Sequence, residues 1–405
     1  MRAVVWRGIG DIAVEDVPDP KIQDPTDAIV RLTASAICGT DLHFIRGTLP
    51  GMKKGTVLGH EGVGIVEELG AGVRNFHVGD RVVICSTIAC GACSYCRAGY
   101  YAQCDFANPN GSGETAFFGG PEPSGGFNGL QAERARVPFA NVGMVKLPDE
   151  ISDDQAILLS DIFPTGYMAA DLAEIRDGNT VVVFGCGPVG QFAIASARLR
   201  GAGRIFAVDQ VASRLDMARS QGAEVIDFSK EDPVETLKQL TGGIGPDRAI
   251  DAVGMDAERP HAGPAAKKLK KEGKDKELDE EKKSAVPKEK PDGDNWHPGD
   301  APSLALQWAV ESLAKAGTLS IIGVYGDANR TFPIGAAMNK NITIKMGNCN
   351  HRKYLPKLIE LVLARAIDPT QILTQKEPLS DAISAYKAFD TRQESWIKVE
   401  LQPAH

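Results

Sequence analysis

The sequence has 405 residues, enough for two domains with separate cores. Its formal net charge of −8 argues against nucleic acid as a partner, because phosphate binding needs a clustered basic face. No apolar run reaches the roughly 18 residues that span a bilayer, and the N-terminus lacks the pattern of a secretory signal, so we expect a cytoplasmic protein with no membrane partner.

The first third of the chain is rich in short apolar segments separated by glycine turns. Residues 29–37, 63–69 and 80–85 have the composition and spacing of strands, and the pattern changes near residue 149. We therefore predict a β-rich domain at the N-terminus.

Four cysteines lie within one loop of this region, with the spacing C-x2-C-x2-C-x7-C: Cys90, Cys93, Cys96 and Cys104. Such spacing in a large cytosolic enzyme favours metal over disulfides, and two-residue separations let neighbouring thiolates converge on one zinc ion. Because four protein ligands leave no position for water, we predict a structural zinc site. The alternative is a set of unpaired surface thiols.

From residue 181 onward, apolar strands alternate with helical patterns. The predicted elements are strand 181–184, helix 188–200, strand 205–208, helix 213–221 and strand 248–253. Strands separated by helices indicate right-handed βαβ units and a parallel sheet. A tail follows residue 338, with one amphipathic helix at about 353–366, and we expect it to return to the first domain.

A glycine-rich turn of the form G-x-G-x-x-G follows the strand at 181–184. Gly185 permits a tight turn, Gly187 lets the backbone approach a pyrophosphate, and Gly190 lets helix and strand pack closely. Pro188 and Val189 begin the helix, whose N-terminus would face the phosphates. The alternative is simple turn chemistry.

Asp209 ends the next predicted strand, nineteen residues after Gly190. A carboxylate there accepts hydrogen bonds from the ribose hydroxyls of adenosine and repels a 2′-phosphate, which favours NAD over NADP. Arg214, five residues further on, is a second candidate cofactor contact and weakens that preference. Asp209 could instead be an ordinary surface acid.

Cys38 and His60 are candidate ligands of a second, catalytic zinc. Cys38 follows a predicted strand within CGTDLH, and His60 lies in GHEGVG. A catalytic zinc needs about three protein ligands and an open position for substrate, so a third ligand must come from elsewhere. The alternatives are a small buried cysteine and a core histidine.

Together these motifs resemble the medium-chain zinc alcohol dehydrogenases over nearly the whole chain, with VGDRV as a further match. The resemblance implies an α/β protein with a GroES-like β-rich catalytic domain at 1–165 and a Rossmann NAD-binding domain at 166–337. Residues 338–405 would return to the catalytic domain. It also implies two zinc ions per chain and a homo-oligomer, either a dimer or a tetramer.

The third zinc ligand of that family is usually a cysteine just before a T-G-Y segment, and here Asp161 occupies its place. This departure resembles the branch of glutathione-independent formaldehyde dehydrogenase and formaldehyde dismutase, in which an aspartate ligates zinc. Asp161 could instead cap the following helix. The charged insertion at about 259–303 also resembles that branch, which carries an extra loop over the cofactor, and the resemblance implies that residues such as Trp296 and His297 pack over the adenine side. Its composition by itself predicts a solvated or partly disordered loop.

The resemblance assigns further roles near the catalytic zinc. Thr40 and His43 stand where the family passes the released proton to water, a task that suits histidine because it titrates near neutrality. The alternative for His43 is a surface histidine. Glu61 is expected to lie behind the zinc ligands, although it could approach the metal when water leaves. Asp41 is expected to orient His60.

Two further positions are expected to contact the nicotinamide. Thr165 would lie beneath the ring, and the backbone near Val324 would bond its carboxamide, although that segment could be plain core strand. Residues 351–353 could touch the cofactor phosphates or form a basic helix start.

The predicted activity is hydride transfer between a small alcohol or hydrated aldehyde and NAD, with the substrate oxygen polarised by zinc. The alternatives are a polyol or amino-alcohol dehydrogenase of the same family and a non-catalytic relative. The intact set of Cys38, His60, Thr40 and His43 argues against the non-catalytic relative.

Overall fold

The computed structural model describes residues 1–108, 115–287, 291–293 and 297–403. The chain divides into two compact units. The first unit comprises Met1–Pro164, Lys290–His297 and Asn348–His405, and the second comprises Thr165–Glu289 and Pro298–Gly347.

The strands, numbered along the chain, are β1 Arg2–Gly8, β2 Asp11–Asp16, β3 Ala28–Ile37, β4 Gly62–Leu69, β5 Arg81–Ile84, β6 Arg134–Val137, β7 Met144–Lys146, β8 Thr180–Phe184, β9 Arg204–Asp209, β10 Glu224–Asp227, β11 Arg248–Asp251, β12 Thr318–Ile321, β13 Thr343–Met346, β14 Gln375–Pro378 and β15 Val399–Gln402.

The α-helices are α1 Gly39–Ile45, α2 Ser94–Arg97, α3 Ala140–Gly143, α4 Asp153–Ser160, α5 Ile162–Leu172, α6 Pro188–Leu199, α7 Ala212–Ser220, α8 Pro233–Leu240, α9 Gly263–Glu272, α10 Lys274–Ala285, α11 Leu304–Ser312, α12 Ile334–Asn339, α13 His351–Leu363 and α14 Ala382–Asp390. Across the described part of the chain, no helix is both long and apolar enough to cross a membrane.

The first unit is built on a mainly antiparallel sheet in the order β14-β15-β3-β4-β5-β7, with β6 also paired to β3. Alternate residues of β3 and β5, among them Val30, Leu32, Val82 and Ile84, point into one buried core. Three cysteines of the four-cysteine loop belong to the same core. The predicted β-rich domain is therefore present, and its core supports that loop.

The second unit has a six-stranded parallel sheet in the order β10-β9-β8-β11-β12-β13. Strand β8 reads TVVVF because both faces of the sheet are covered: Val182 and Phe184 pack on one side, and Val181 and Val183 on the other. The strand order reverses beside β8, which creates the crevice at the carboxyl ends where such sheets bind ligands. The predicted combination of a β-rich domain and a doubly wound parallel-sheet domain is present in the structure.

Strand β13 lies beyond residue 338, where the sequence analysis places the start of the return to the first domain. It pairs in parallel with β12 from Thr343↔Thr318 to Met346↔Ile321 and so extends the sheet of the second unit. The helix predicted at about 353–366 is α13, and it begins at His351.

The structure of the charged insertion differs from the loop that its composition predicts. In the described part of residues 259–303, two helices replace the expected solvated or disordered loop, because the apolar residues recur at helical spacing. Leu269 on α9 and Leu278 on α10 are buried in the core of the second unit. Arg259 holds the insertion by contacts with Asp279 (2.9 Å) and Asp300 (3.2 Å), while most lysines face water. Of the two residues expected over the adenine, Trp296 lies outside the described residues, and Nδ1 of His297 lies 2.6 Å from Asp390 Oδ2.

Candidate metal and cofactor sites

The four-cysteine loop brings all four sulfur atoms within 4.8 Å of one another. The sulfurs of Cys90 and Cys96 are 4.0 Å apart, close to the ~3.8 Å that separates two thiolates on a tetrahedral zinc ion. Backbone N–H groups donate to these sulfurs, for example from Cys90 to Cys104 (3.2 Å) and from Ala92 to Cys90 (3.3 Å). The donor set fits a structural zinc ion.

The second cluster joins Cys38, His60, Glu61 and Asp161, whose ligand atoms also lie within 4.8 Å of one another. Cys38 caps α1 after β3, His60 and Glu61 precede β4, and Asp161 stands between α4 and α5. Three chain segments thus converge on one buried point of the first unit.

The distances within this second cluster match those between zinc ligands. Asp161 Oδ2 lies 3.3 Å from His60 Nε2 and 3.5 Å from Cys38 Sγ. Tetrahedral zinc would separate such atoms by about 3.4 Å and 3.6 Å. Burial, and then the charge of Asp161, raise the pKa of the Cys38 thiol, so a thiolate at this position calls for a cation beside it. The cluster therefore fits a zinc ion.

Asp41 lies directly behind two members of this cluster. Its Oδ1 is 3.1 Å from His60 Nδ1, and its Oδ2 accepts the backbone N–H of Cys38 at 3.0 Å. Burial opposes the protonated form of His60, but the charges of Asp41 and Cys38 and the contacts with Asp161 together outweigh it and raise the pKa of His60 well above its usual value. Asp41 thus turns Nε2 of His60 toward Asp161.

Glu61 is paired with Lys398, a residue the sequence analysis missed. Lys398 Nζ lies 2.5 Å from Glu61 Oε1 and 3.0 Å from the Ile37 carbonyl, and neither charged side chain is exposed. Burial raises the pKa of Glu61 to about 7, although Lys398 opposes the shift. Within the described residues Glu61 Oε2 has no hydrogen-bond partner, and it is a member of the metal-ligand cluster. The sequence feature that could have indicated this pair is a lysine within the mostly apolar C-terminal segment.

His351 is a second residue missed near the cluster. Its Nε2 lies 2.7 Å from Asp161 Oδ1, and its Nδ1 lies 2.9 Å from Thr87 Oγ1. From the sequence, residues 351–353 could either touch the cofactor phosphates or form a basic helix start. The helix does begin at His351, but the imidazole is buried against Asp161.

The predicted proton-relay residues both lie on α1. Thr40 is half-buried, and His43 is buried rather than on the surface, with its Nδ1 3.0 Å from Thr48 Oγ1. The short helix thus carries Thr40, Asp41 and His43 directly after Cys38.

The glycine turn of the second unit has the geometry that its spacing predicts. Gly185 has φ +87°, and Gly187 has open space around its Cβ position, where the nearest atom is 3.9 Å away. A Cβ on Gly190 would stand 1.9 Å from the Gly185 carbonyl oxygen, so this position demands glycine. Pro188 and Val189 begin α6 after the turn. The turn forms a cradle that fits a dinucleotide phosphate.

Asp209 is buried at the end of β9 and is already hydrogen-bonded to the backbone. Its Oδ2 accepts the N–H of Cys186 at 2.8 Å, and its Oδ1 accepts those of Gln210 (2.7 Å) and Val211 (2.9 Å). Arg214 Nη1 lies 3.9 Å from Asp209 Oδ2. The carboxylate is therefore held next to the glycine turn, with Arg214 beside it.

The two residues expected at the nicotinamide also belong to the second unit. Thr165 lies in the first turn of α5, and Val324 lies beyond the end of β12, where its carbonyl accepts the N–H of Met255 at 2.8 Å. Val324 is thus in a loop at the carboxyl end of the sheet and not in a core strand.

The chain is similar to known proteins along its whole length. Residues 24–149 match the alcohol dehydrogenase GroES-like domain, and residues 188–268 match the zinc-binding dehydrogenase family. The chain is 40% identical, over the full length of both, to an uncharacterized zinc-type alcohol dehydrogenase-like protein, AdhB, of Bacillus subtilis. It superimposes on alcohol dehydrogenase TADH from Thermus sp. ATN1 with a TM-score of 0.80 and 33% identity, covering 100% of both chains.

A further relative carries the name of a specific activity. Glutathione-independent formaldehyde dehydrogenase of Pseudomonas aeruginosa is 40% identical over 269 residues, which cover 63% of this chain and 66% of that protein.

The chain belongs to the medium-chain, zinc-type alcohol dehydrogenase family and is an oxidoreductase.

Proposed function

We propose that the protein oxidises small alcohols or hydrated aldehydes with NAD, in the manner of formaldehyde dehydrogenase. The observation that carries this proposal is the buried cluster of Cys38, His60 and Asp161, in which a carboxylate takes the place of the family's usual cysteine. The partial likeness to a formaldehyde dehydrogenase supports the choice of branch.

In this proposal Cys38, His60 and Asp161 hold the catalytic zinc, and Cys90, Cys93, Cys96 and Cys104 hold the structural one. A zinc ion in the catalytic cluster would supply a Lewis acid that polarises the substrate oxygen. Asp41 orients His60, and Glu61 stands behind the ligands with its charge balanced by Lys398.

Residues of α1 help to carry the proton released on oxidation to water. Thr40 takes it from the substrate hydroxyl, the nicotinamide ribose carries it onward, and His43 passes it towards water.

The cofactor in this proposal is NAD, bound at the glycine turn of Gly185, Gly187 and Gly190. An ionised carboxylate has about four acceptor sites, and backbone N–H groups occupy three of those of Asp209, which leaves one for a ribose hydroxyl. Its negative charge disfavours a 2′-phosphate, and Arg214 partly offsets that effect.

Further contacts complete the proposed cofactor site. Thr165 supports the nicotinamide, and the backbone of Val324 bonds its carboxamide. The start of the insertion lines the adenosine side: Glu258 contacts Gln210 after β9 (2.5 Å), and Gly263 packs against Ser229 after β10. These residues follow the carboxyl ends of the strands, where dinucleotides bind.

The test is a screen of purified protein with short alcohols and aldehydes, polyols and amino alcohols, with NADH formation followed by absorbance. Each substrate is run with and without added NAD, and Asp161→Asn is the matched control. We expect formaldehyde or a short alcohol to reduce NAD, and the control to lose this activity.

Other results of the screen would contradict the proposal. Turnover of polyols or amino alcohols alone would assign the protein to that alternative. Two bound zinc ions with no turnover of any substrate would indicate a non-catalytic relative. Conversion of aldehyde to alcohol and acid without added NAD would instead agree with the proposal and would show that the dinucleotide stays bound.

We also propose that the protein is a homo-oligomer, either a dimer or a tetramer. Strand β13 lies at the edge of the sheet in the second unit. Nearby, the apolar side chains of Ile334, Met338 and Met346 are 67%, 71% and 63% exposed. An unpaired strand edge beside exposed apolar side chains is typical of a surface that a second copy covers.

A further inference from the structure

The two oxygens of the Asp161 carboxylate have different neighbours. Oδ2 faces the cluster, 3.3 Å from His60 Nε2 and 3.5 Å from Cys38 Sγ. Oδ1 lies 2.7 Å from Nε2 of His351. A histidine thus engages the second of the two oxygens.

The imidazole of His351 is itself held in one orientation. Its Nδ1 lies 2.9 Å from Thr87 Oγ1, and the same hydroxyl donates to the Cys349 carbonyl at 3.3 Å. All of these groups are buried. An ionised Asp161 can only accept at Oδ1, so Nε2 of His351 carries the proton in this contact.

The segment before His351 is anchored as well. Asn350 Oδ1 accepts the backbone N–H of Ala102, two residues before Cys104 in the four-cysteine loop. Asn350 and His351 are consecutive, so the start of α13 is tied on one side to this loop and on the other to Asp161. The imidazole therefore has little freedom to follow Asp161 if the carboxylate rotates.

This arrangement matters because a carboxylate can bind zinc through one oxygen or through both. A second Zn–O bond would crowd the position that a catalytic zinc keeps open for its substrate, because with a bound water it would raise the number of ligands from four to five. Cysteine, the family's usual ligand at this position, has a single donor atom and raises no such problem. A chain that uses aspartate instead needs a group that occupies the second oxygen.

We propose that His351 is a positioning residue that holds Asp161 as a one-oxygen ligand of the catalytic zinc, with Thr87 fixing the imidazole behind it. This inference rests on the proposed role of Asp161 as a zinc ligand. Hydrogen bonds of this kind to ligating groups typically change metal affinity about 10–100-fold.

The test compares the wild-type protein with His351→Leu, His351→Gln and Thr87→Val. Two properties are measured: the visible spectrum after cobalt(II) replaces zinc, which differs between four and five ligands, and the rate at which a chelator removes zinc. Ile359→Val, a buried change on the same helix, is the control for loss of packing. Asp161→Ala is the control for the ligand itself.

We expect His351→Leu to shift the cobalt spectrum towards five ligands and to change the rate of zinc loss from one of the two sites about 10–100-fold. His351→Gln should stay close to wild type, because its amide N–H can reach the place of Nε2. Thr87→Val should change the spectrum in the same direction by a smaller amount. Ile359→Val should lower the melting temperature without changing the spectrum.

The inference is overturned if His351→Leu keeps the wild-type spectrum and zinc release while Asp161→Ala loses one metal ion. It is also overturned if Ile359→Val changes the spectrum as much as His351→Leu does. If Asp161→Ala keeps both metal ions and the wild-type spectrum, Asp161 is not a ligand, and the proposed catalytic site fails with the inference.

Discussion

Lys398 and Glu61 form an ion pair in which neither side chain is exposed to water. Breaking such a pair leaves one charge buried without a partner, which costs about 3–5 kcal/mol. We predict that Lys398→Met lowers the free energy of unfolding by about this amount, measured by urea titration. The double variant Lys398→Met/Glu61→Gln should recover part of the loss, because no uncompensated charge remains.

The control for this prediction is Lys376→Met, which removes an exposed lysine paired with Asp154. Exposed pairs contribute about 0–1 kcal/mol, so its effect should be small. Equal losses for Lys376→Met and Lys398→Met would show that the buried pair has no special role.

Asp209 is predicted to select NAD over NADP and also to stabilise the turn that holds the cofactor. Asp209→Gly should weaken NAD binding and relax the rejection of NADP, as measured by kcat/KM for both cofactors. Because the substitution removes the acceptor of three backbone N–H groups, it should also lower the melting temperature. Equal efficiency of the wild-type protein with NAD and NADP would contradict the assigned role.

At the scale of single residues, the site residues that stand in local sequence motifs could be predicted, and those whose partners lie far away in the sequence could not. Cys38, His60 and the four cysteines stand in short segments whose spacing predicts metal ligands, and the structure brings each set together. His351 lies 190 residues from Asp161, and Lys398 lies 337 residues from Glu61. No spacing rule connects residues so far apart, because only the folded chain makes them neighbours.

The insertion helices α9 and α10 carry charge on one side and contribute to the core on the other. Leu278 is 1% exposed although nearly every neighbour in its sequence is charged. We predict that Leu278→Ala lowers the free energy of unfolding by about 2–5 kcal/mol, as expected for a buried leucine. The measurement is urea unfolding.

The matched control is Lys283→Ala on the same helix, whose side chain is exposed and whose loss should change stability by no more than about 0.5 kcal/mol. If Leu278→Ala changes the free energy of unfolding as little as this control does, the insertion does not contribute to the core.

At the scale of elements, the parallel sheet and the glycine turn follow directly from the sequence. Strand β8 is a continuous apolar run, and the turn after it has glycine where a Cβ cannot fit. The insertion did not follow from composition, because a few leucines and alanines at helical spacing decide its packing while lysines dominate its average. Strand β13 was missed because its side chains are half-buried or exposed and show little apolar pattern.

For the whole molecule, the exposed edge beside β13 predicts self-association. Light scattering after gel filtration should give the mass of a dimer or a tetramer for the wild-type protein. Ile334→Lys/Met338→Lys places two charges on the exposed apolar surface and should reduce the mass, while the melting curve of the monomer stays cooperative. A wild-type monomer at high concentration would contradict the prediction.

The central claim is that one buried cluster and one cysteine loop each hold a zinc ion. Its most direct test is the zinc content per chain of the purified wild-type protein, Asp161→Ala and Cys93→Ser. We predict two zinc ions in the wild type and one in each variant, with the melting temperature lowered most in Cys93→Ser because its loop belongs to the core of the first unit. A single zinc ion in the wild type, or two retained in Asp161→Ala, would contradict the account.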